Sequence, residues 1–272
     1  MKKLIAILTT LAVLAFNPEV MAVWINIDDG QSHTINDSTY QEDVVFLDYY
    51  NSNDPGTHIN LVSGGHVNLL HACDKSTISM TGGTIGHNLT ANDNASITMS
   101  GGSVKVDLYA SDYSHIALTG GSVEDNLYAR YNSNITVTGG LIRNAIYVGE
   151  NASITMSGGL ADRKFIVKDS GKVYLDGSDF SITDSDGNIF NLSKGDKLSE
   201  YATLVEYRPA NNIRDYYSGT IKGTLADGSA MNNIFEIYKT GDYAGTADIV
   251  IIPEPTTLLL FGFGSLIIRK RR

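Results

Sequence analysis

The sequence is poor in the residue types that disulfide, metal and catalytic sites need. Its 272 residues include one cysteine, Cys73, which excludes an internal disulfide and any multi-cysteine zinc or iron–sulfur site. The six histidines form no HExxH pair, and no GxGxxG after a strand, Walker loop or GxSxG elbow is present. The five prolines are too few for collagen or a proline-rich linker. A soluble cytosolic enzyme is therefore a poor interpretation of this chain.

Charged residues are also scarce, and acidic residues outnumber basic ones. Charged residues make up 18% of the sequence, and 20 Lys and Arg against 30 Asp and Glu give a formal net charge of −10. This balance argues against nucleic acid and anionic lipid as partners. Hydrophobic residues make up 42%, which is too many for a disordered chain. We therefore expect a folded, acidic protein.

The N-terminus has the three parts of a signal peptide. Lys2 and Lys3 precede an apolar stretch over residues 4–16, and Asn17-Pro18 interrupts it. Val20-Met21-Ala22 places small or apolar residues at the cleavage positions, so we predict cleavage after Ala22. The apolar stretch is too short for a membrane-spanning helix. Residues 1–22 are therefore predicted to be removed on export.

The C-terminus carries a second targeting pattern over residues 253–272. It starts with a Pro-Glu-Pro motif at Pro253, Glu254 and Pro255. An apolar run over residues 258–268 follows, shorter than the ~17–25 residues that span a bilayer comfortably. A basic cluster completes the pattern at Arg269, Lys270, Arg271 and Arg272. The positive-inside tendency would keep this cluster cytoplasmic and the preceding chain outside, as the predicted signal peptide also requires.

This order of motif, short apolar run and basic cluster resembles the PEP-CTERM sorting signal of bacteria that make exopolysaccharide. The resemblance covers about the last 20 residues. It implies an exported protein, transiently anchored in the membrane, whose tail an exosortase-type membrane protease processes near Pro-Glu-Pro. Without both ends, residues 23–252 contain 14 basic and 28 acidic residues. The exported body is thus more acidic than the whole chain.

The centre of the chain is a repeat. Gly-Gly pairs recur at spacings of 18 and then 19 residues, starting at Gly64, Gly82, Gly101, Gly120, Gly139 and Gly158. Counted from each pair, positions 8 and 10, and again 16 and 18, are apolar with polar residues between them. This period-2 alternation indicates strands with one buried face. A chain that returns in register every 19 residues can stack like side chains about 4.8 Å apart.

We therefore predict an all-β fold: a single-stranded, right-handed, parallel β-solenoid of about 19 residues per coil. The hand follows from the preference of parallel crossovers. Residues 64–176 form the regular coils, and residues 23–63 hold degenerate coils and an N-terminal cap, the latter over residues 24–43. From residue 177 the period is lost, and short alternating segments predict a β-rich C-terminal cap over 177–252.

Two outward positions of the repeat are candidate sites. Position 12 is mostly acidic, and Asp93 and Asp112 are its weak candidates for a calcium site, against the alternative of an ordinary exposed turn. Position 9 carries Tyr109, Tyr128 and Tyr147, which form either a glycan-binding platform or a structural ladder of stacked aromatics. We favour the exposed turn at position 12 and the structural ladder at position 9. No catalytic residue, metal site or cofactor is assigned.

The leading functional hypothesis is a non-enzymatic protein of the cell envelope, cell surface or extracellular matrix, associated with exopolysaccharide or biofilm. The coils have no insertions that could wall a catalytic cleft, which disfavours the alternative of a carbohydrate-active β-helix lyase or hydrolase. An adhesin is the third possibility, and the residues do not separate it from a matrix protein.

Overall fold

The computed structural model describes residues 22–49, 56–207, 214–239 and 245–252, and in these ranges the chain is an all-β parallel solenoid. The solenoid has about eight turns, spaced roughly 19 residues apart. The predicted fold class and repeat length are therefore confirmed. The right-handed sense of the coil stays a prediction.

The strands are short and follow one another closely along the chain. In the N-terminal part they are β1 (Trp24–Ile27), β2 (Ser32–Ile35), β3 (Tyr40–Leu47), β4 (His58–Leu61), β5 (His66–Ala72), β6 (Thr77–Met80), β7 (Thr84–Ile85), β8 (Leu89–Ala91) and β9 (Ser96–Met99). In the central part they are β10 (Ser103–Val104), β11 (Leu108–Ala110), β12 (His115–Leu118), β13 (Ser122–Val123), β14 (Leu127–Ala129), β15 (Asn134–Ile142), β16 (Ala145–Val148), β17 (Ser153–Ala161) and β18 (Lys164–Val167). In the C-terminal part they are β19 (Lys172–Asp184), β20 (Ile189–Asn191), β21 (Leu204–Tyr207), β22 (Arg214–Leu225), β23 (Ala230–Tyr238) and β24 (Asp248–Ile252), with a 3-10 turn at Leu198–Glu200.

Strands from successive coils pair in parallel and build three faces. The isoleucine face contains β2, β4, β6, β9, β12, β15, β17, β19 and β24. The tyrosine face contains β1, β3, β5, β8, β11, β14, β16, β18 and β23. The third, shorter face contains the starts of β3 and β5, then β7, β10 and β13, and the ends of β15 and β17.

The core lies between these faces and consists of ladders of like side chains. On the isoleucine face Ile116 lies between Ile97 and Ile135 in direct register. On the tyrosine face Leu108 pairs with Leu89. All five side chains are fully buried. Burial of each such side chain contributes about 1.5–3 kcal/mol, so the ladders supply most of the driving force for folding.

The glycine pairs of the regular coils meet two backbone constraints, close approach to the preceding coil and a left-handed φ. A Cβ on Gly101 would lie 2.5 Å from the carbonyl oxygen of Thr81 in the preceding coil, too close for any side chain. Gly102 has φ +81°, in the left-handed region that glycine adopts without steric cost. Close approach of the backbones and reversal of the chain therefore fall on two consecutive residues, and this explains the pair.

The N-terminal residues continue the solenoid to its end. β1 pairs in parallel with β3, and β2 pairs in parallel with β4, so residues 24–35, predicted as part of a cap, form strands of the first coil. Among the described residues, nothing pairs with the outer edges of β1 and β2. Residues 23–43 contain five carboxylates and no Lys or Arg. Charged side chains of this kind are a common protection of an open strand edge.

The C-terminal end is closed by antiparallel strands. β19 runs past the last regular coil and pairs antiparallel with β20 and β22, and β22 pairs with β21 and β23. β23 and β24 also add one parallel strand to the tyrosine and isoleucine faces, so that Phe235 follows Phe165 and Ile249 follows Val173. The core ladders thus continue into the cap.

We predict that the middle coils tolerate a new charge outside but not inside. Ile116→Asp places a carboxylate in a fully buried position between two isoleucines and should lower the free energy of unfolding by several kcal/mol. Thr136→Asp, on the outward side of β15, should cost about 1 kcal/mol or less. Urea unfolding followed by circular dichroism measures both, and equal midpoints for the two variants would contradict the assignment of the inner and outer sides.

Candidate functional site

The three tyrosines of position 9 form a row on the tyrosine face. Tyr109, Tyr128 and Tyr147 lie on β11, β14 and β16 in direct register. Their chain neighbours, such as Leu108 and Ala110, are fully buried, whereas the tyrosines themselves are half-buried and point outward. The structure therefore brings the three predicted residues together.

The rings of this tyrosine row stack face to face. The centroids of Tyr109 and Tyr128 are 4.5 Å apart at an interplanar angle of 5°, and those of Tyr128 and Tyr147 are 4.7 Å apart at 12°. Both faces of Tyr128 are therefore covered by its neighbours, and ring edges and hydroxyls form the outer surface. A sugar ring that packs on an aromatic face would find one only at the two ends of the row. The geometry favours the structural interpretation of these residues.

Hydrogen bonds to Asp107 hold the hydroxyl of Tyr109, the first tyrosine of the row. Tyr109 donates a hydrogen bond of 2.9 Å to Asp107 Oδ2. Burial raises the pKa of the Tyr109 phenol, and this hydrogen bond raises it further. Asp107 Oδ1 accepts from the backbone N and the Nδ2 of Asn126 in the next coil, at 2.9 and 3.0 Å. These bonds fix the carboxylate of Asp107 as a structural acceptor and keep Tyr109 protonated.

A small groove runs along the row. It has a volume of about 160 Å³ and is lined by Tyr109, Tyr128, Ala129, Arg130, Tyr147, Gly149 and Lys168. A Cβ on Gly149 would lie 3.0 Å from Lys168 Cε, so the glycine leaves room for the lysine stem. Arg130 Nε is 4.0 Å from Glu150 Oε1. Small-molecule sites usually measure roughly 300–1,000 Å³, so this groove is too small to enclose a sugar.

The conformation of the backbone explains why acidic residues recur at position 12. Its residues are left-handed, with φ from 51° to 58°, at Asp74, Asp93, Asp112, Tyr131, Glu150 and Asp169. Aspartate is among the few non-glycine residues that adopt this region readily. Asp93 Oδ2 accepts a hydrogen bond from the backbone N of Asp74 at 3.3 Å, and Asp112 Oδ2 accepts one from Ser111 Oγ at 3.1 Å. Both calcium candidates therefore have a left-handed turn conformation and a carboxylate oxygen that already accepts a hydrogen bond.

The turn interpretation gives a test at Asp112. Asp112→Asn should change the free energy of unfolding by less than about 0.5 kcal/mol, because asparagine also tolerates φ near +58°. Asp112→Val should cost about 1–3 kcal/mol, because a β-branched side chain is strained there. Urea unfolding with and without EDTA measures both variants. Equal losses for the two, or a loss on adding EDTA to the wild type, would favour the cation site instead.

A larger cavity of about 510 Å³ lies where the last coils meet the β22–β23 hairpin. It is lined by Asn144, Asp162, Arg163, Lys164, Thr220, Asn232 and Ile234. Asp162 is the one carboxylate in this lining, and Lys164 Nζ is paired with Glu236 Oε1 at 3.1 Å. Glycosidases need two carboxylates on the scissile bond. Within the described ranges, no three His, Cys, Asp or Glu side chains gather closely enough to hold a metal ion.

A second group of aromatic side chains lies at the N-terminal end of the tyrosine face. This N-terminal aromatic cluster consists of Trp24, Phe46, Tyr49 and His71. Phe46 and His71 occupy the same column as the tyrosine row and stack at 4.7 Å and 9°. Burial lowers the pKa of His71 to about 4, so this ring is neutral at pH 7. Sequence reasoning missed the cluster because the repeat is degenerate there.

The predicted processing sites lie at the margins of the structure. Ala22, the expected cleavage position, is exposed and is separated from β1 by one residue. The sorting residues Pro253 to Arg272 fall outside the described residues, and so does the predicted short membrane segment. Over the part of the chain that the structure covers, no helix combines the length and apolar character required to cross a membrane.

Comparison with known proteins identifies the tail. Residues 252–272 match the PEP-CTERM protein-sorting motif. The chain thus combines this motif with a β-solenoid body, as the sequence predicts. The motif implies an exported protein with a C-terminal membrane-anchoring tail, sorted and processed at the membrane by an exosortase. Neither a curated protein nor a solved structure matches the chain significantly.

Proposed function

We propose that the exported body, residues 23–252, is a non-enzymatic protein of the cell surface or extracellular matrix that associates with exopolysaccharide in a biofilm. The observation that carries the proposal is the attachment of a PEP-CTERM sorting motif to a β-solenoid. The motif accounts for delivery of the chain to the envelope. The solenoid offers an extended repetitive surface, which suits a repetitive polymer better than a small soluble substrate.

The regular geometry of the tyrosine face supports contact with a repetitive polymer. Outward positions of the tyrosine face recur about every 4.8 Å along the solenoid axis. They carry aromatic side chains in most coils from Phe46 to Tyr147, and the two glycines and close backbone packing keep each coil in register. A rigid face of this kind loses little conformational entropy when it binds a polymer.

Charge narrows the class of polysaccharide. With 14 basic and 28 acidic residues, the body has a net charge of −14. An acidic polymer in direct contact with it would be repelled. Neutral glycans, or glycans bridged through cations, are therefore the proposed partners.

The enzymatic alternative has less support. A β-helix lyase or hydrolase needs converging carboxylates, or carboxylates that hold a cation beside a basic residue. The cavity at the β22–β23 hairpin contributes Asp162 as its one lining carboxylate. An adhesin that binds a host or neighbouring cell would use the same outward surface, and it differs from the proposed matrix protein only in its partner.

The tail should direct processing without affecting the fold. Replacing Pro253 and Pro255 together by Ala alters the sorting motif but leaves β24, which ends at Ile252, unchanged. We expect the precursor to accumulate with Arg272 intact, as measured by mass spectrometry of the envelope fraction. Pro209→Ala, a proline outside the motif, is the control and should be processed normally. A native mature protein that retains Arg272 would contradict this prediction.

Association with polysaccharide can be measured on the producing cells' own material. The mature protein should sediment with the purified exopolysaccharide and should release no reducing ends from it during incubation. The mature protein centrifuged without polysaccharide is the control for aggregation and should remain in the supernatant. Recovery of the wild-type protein entirely in the supernatant would refute the association, and release of reducing ends would favour the enzyme.

A further inference from the structure

The N-terminal aromatic cluster exposes an aromatic ring at Trp24, whereas the rings inside the tyrosine row are covered by their neighbours. Trp24 is 74% exposed and Tyr49 is 48% exposed. Trp24 meets Phe46 at 5.4 Å and 42°, and Tyr49 meets Phe46 at 4.9 Å and 54°. Because the contact between Trp24 and Phe46 is tilted, it leaves a broad part of the Trp24 indole ring in solvent. Such surfaces combine a large apolar area with a polar atom at the edge.

We infer that Trp24 and Tyr49, supported by Phe46, form a binding site for a neutral saccharide. A sugar ring has an apolar side made of C–H groups, which an open aromatic face can cover, and hydroxyls around its rim. The inference rests on the proposed function and locates its contact surface. It assigns the contact to the N-terminal aromatic cluster rather than to the tyrosine row.

The backbone holds this site in place. In the parallel register, Trp24 pairs with Val44 and Asn26 pairs with Phe46. The backbone N of Tyr49 donates to Asn26 Oδ1 at 3.4 Å, which ties the second residue after β3 to β1. Phe46 is in turn stacked on His71 of the next coil. The rings are therefore positioned before any ligand arrives, which reduces the entropic cost of binding.

The negative charge at the N-terminal end of the solenoid favours a neutral ligand. Residues 23–49 contain six Asp and Glu and no Lys or Arg. This concentration of negative charge repels polyuronates, nucleic acids and anionic lipid surfaces, and it also opposes end-to-end contact with a second copy. Carboxylate and amide oxygens accept hydrogen bonds from hydroxyl groups, and the amide of Asn26 is exposed beside the rings. An uncharged, hydroxyl-rich ligand fits both the rings and their surroundings.

The location of the cluster agrees with this role. Eight strand-to-strand steps separate β2 from β24 on the isoleucine face. At about 4.8 Å per step the two ends of the solenoid are about 38 Å apart. The sorting tail follows β24, so Trp24 lies at the end of the body away from the tail. In a tail-anchored protein the site would be at the distal end.

Affinity electrophoresis tests the inference. The mature protein is run through gels that contain the neutral or the anionic fraction of the producing cells' exopolysaccharide, separated by anion exchange. We expect the neutral fraction to retard the wild type. Trp24→Ala should weaken the apparent dissociation constant at least tenfold, and Trp24→Phe should restore most of the retention. Circular dichroism verifies that each variant is folded.

Two matched controls separate this site from other aromatics. Tyr113→Ala removes a side chain that is 69% exposed outside the cluster, and Tyr128→Thr interrupts the tyrosine row. Both should retain wild-type binding within about twofold. Unchanged retention of Trp24→Ala, or loss of retention in Tyr128→Thr alone, would overturn the inference while leaving the proposed function intact.

Other outcomes are equally decisive. Tighter retention by the anionic fraction would refute a neutral ligand. If sedimentation showed a wild-type dimer that Trp24→Ala dissociates, the cluster would be a subunit contact and the inference would be wrong. If neither fraction retarded the wild type, the proposed association with polysaccharide would itself fail.

Discussion

The spacing of about 4.8 Å between successive coils is the constraint on which the rest of this structure depends. Each regular side chain lies directly against its counterparts one coil before and one coil after it. A residue type therefore suits a position only if it packs well against the same residue type in the adjacent coils. Apolar side chains meet this condition easily, as the column that contains Ile116 illustrates. A carboxylate in such a column needs a hydrogen-bond donor from an adjacent coil. Asp93 accepts from the backbone of the preceding coil, and Asp107 accepts from Asn126 in the following one.

The same spacing explains why the most regular aromatic positions make a poor binding surface. The stacked rings, with centroids 4.5 and 4.7 Å apart, cover one another, so both faces of the Tyr128 ring are occupied. Where the repeat becomes irregular, at Trp24 and Tyr49, the rings are tilted against Phe46, and the Trp24 ring is largely exposed to solvent. In a periodic scaffold, surfaces available for recognition therefore arise where the period breaks, and the regular columns serve mainly to hold such places in a rigid frame.

The two ends of the solenoid differ in chemistry as well as in sequence. The C-terminal end is covered by antiparallel strands around β22 and leads into the sorting tail. At the N-terminal end, the described residues leave the outer edges of β1 and β2 unpaired, and residues 23–43 around them contain five carboxylates and no Lys or Arg. Like charges oppose edge-to-edge pairing of two copies. This arrangement disfavours edge-to-edge contact between copies of the chain, and it agrees with the neutral ligand proposed for this end.

The sequence by itself determined the all-β class, the 19-residue coil, the inward residues of each strand and the sorting motif. These features are readable because alternation, glycine pairs and a contiguous tail are local in the chain. Only the tertiary structure decided how the outward residues behave. The orientation of the tyrosine rings depends on the coils on either side, and the role of Asp112 depends on a left-handed backbone that no residue pattern specifies alone. Trp24 and Tyr49 meet at Phe46 only because β1 pairs with β3, a contact between coils that composition and spacing do not encode.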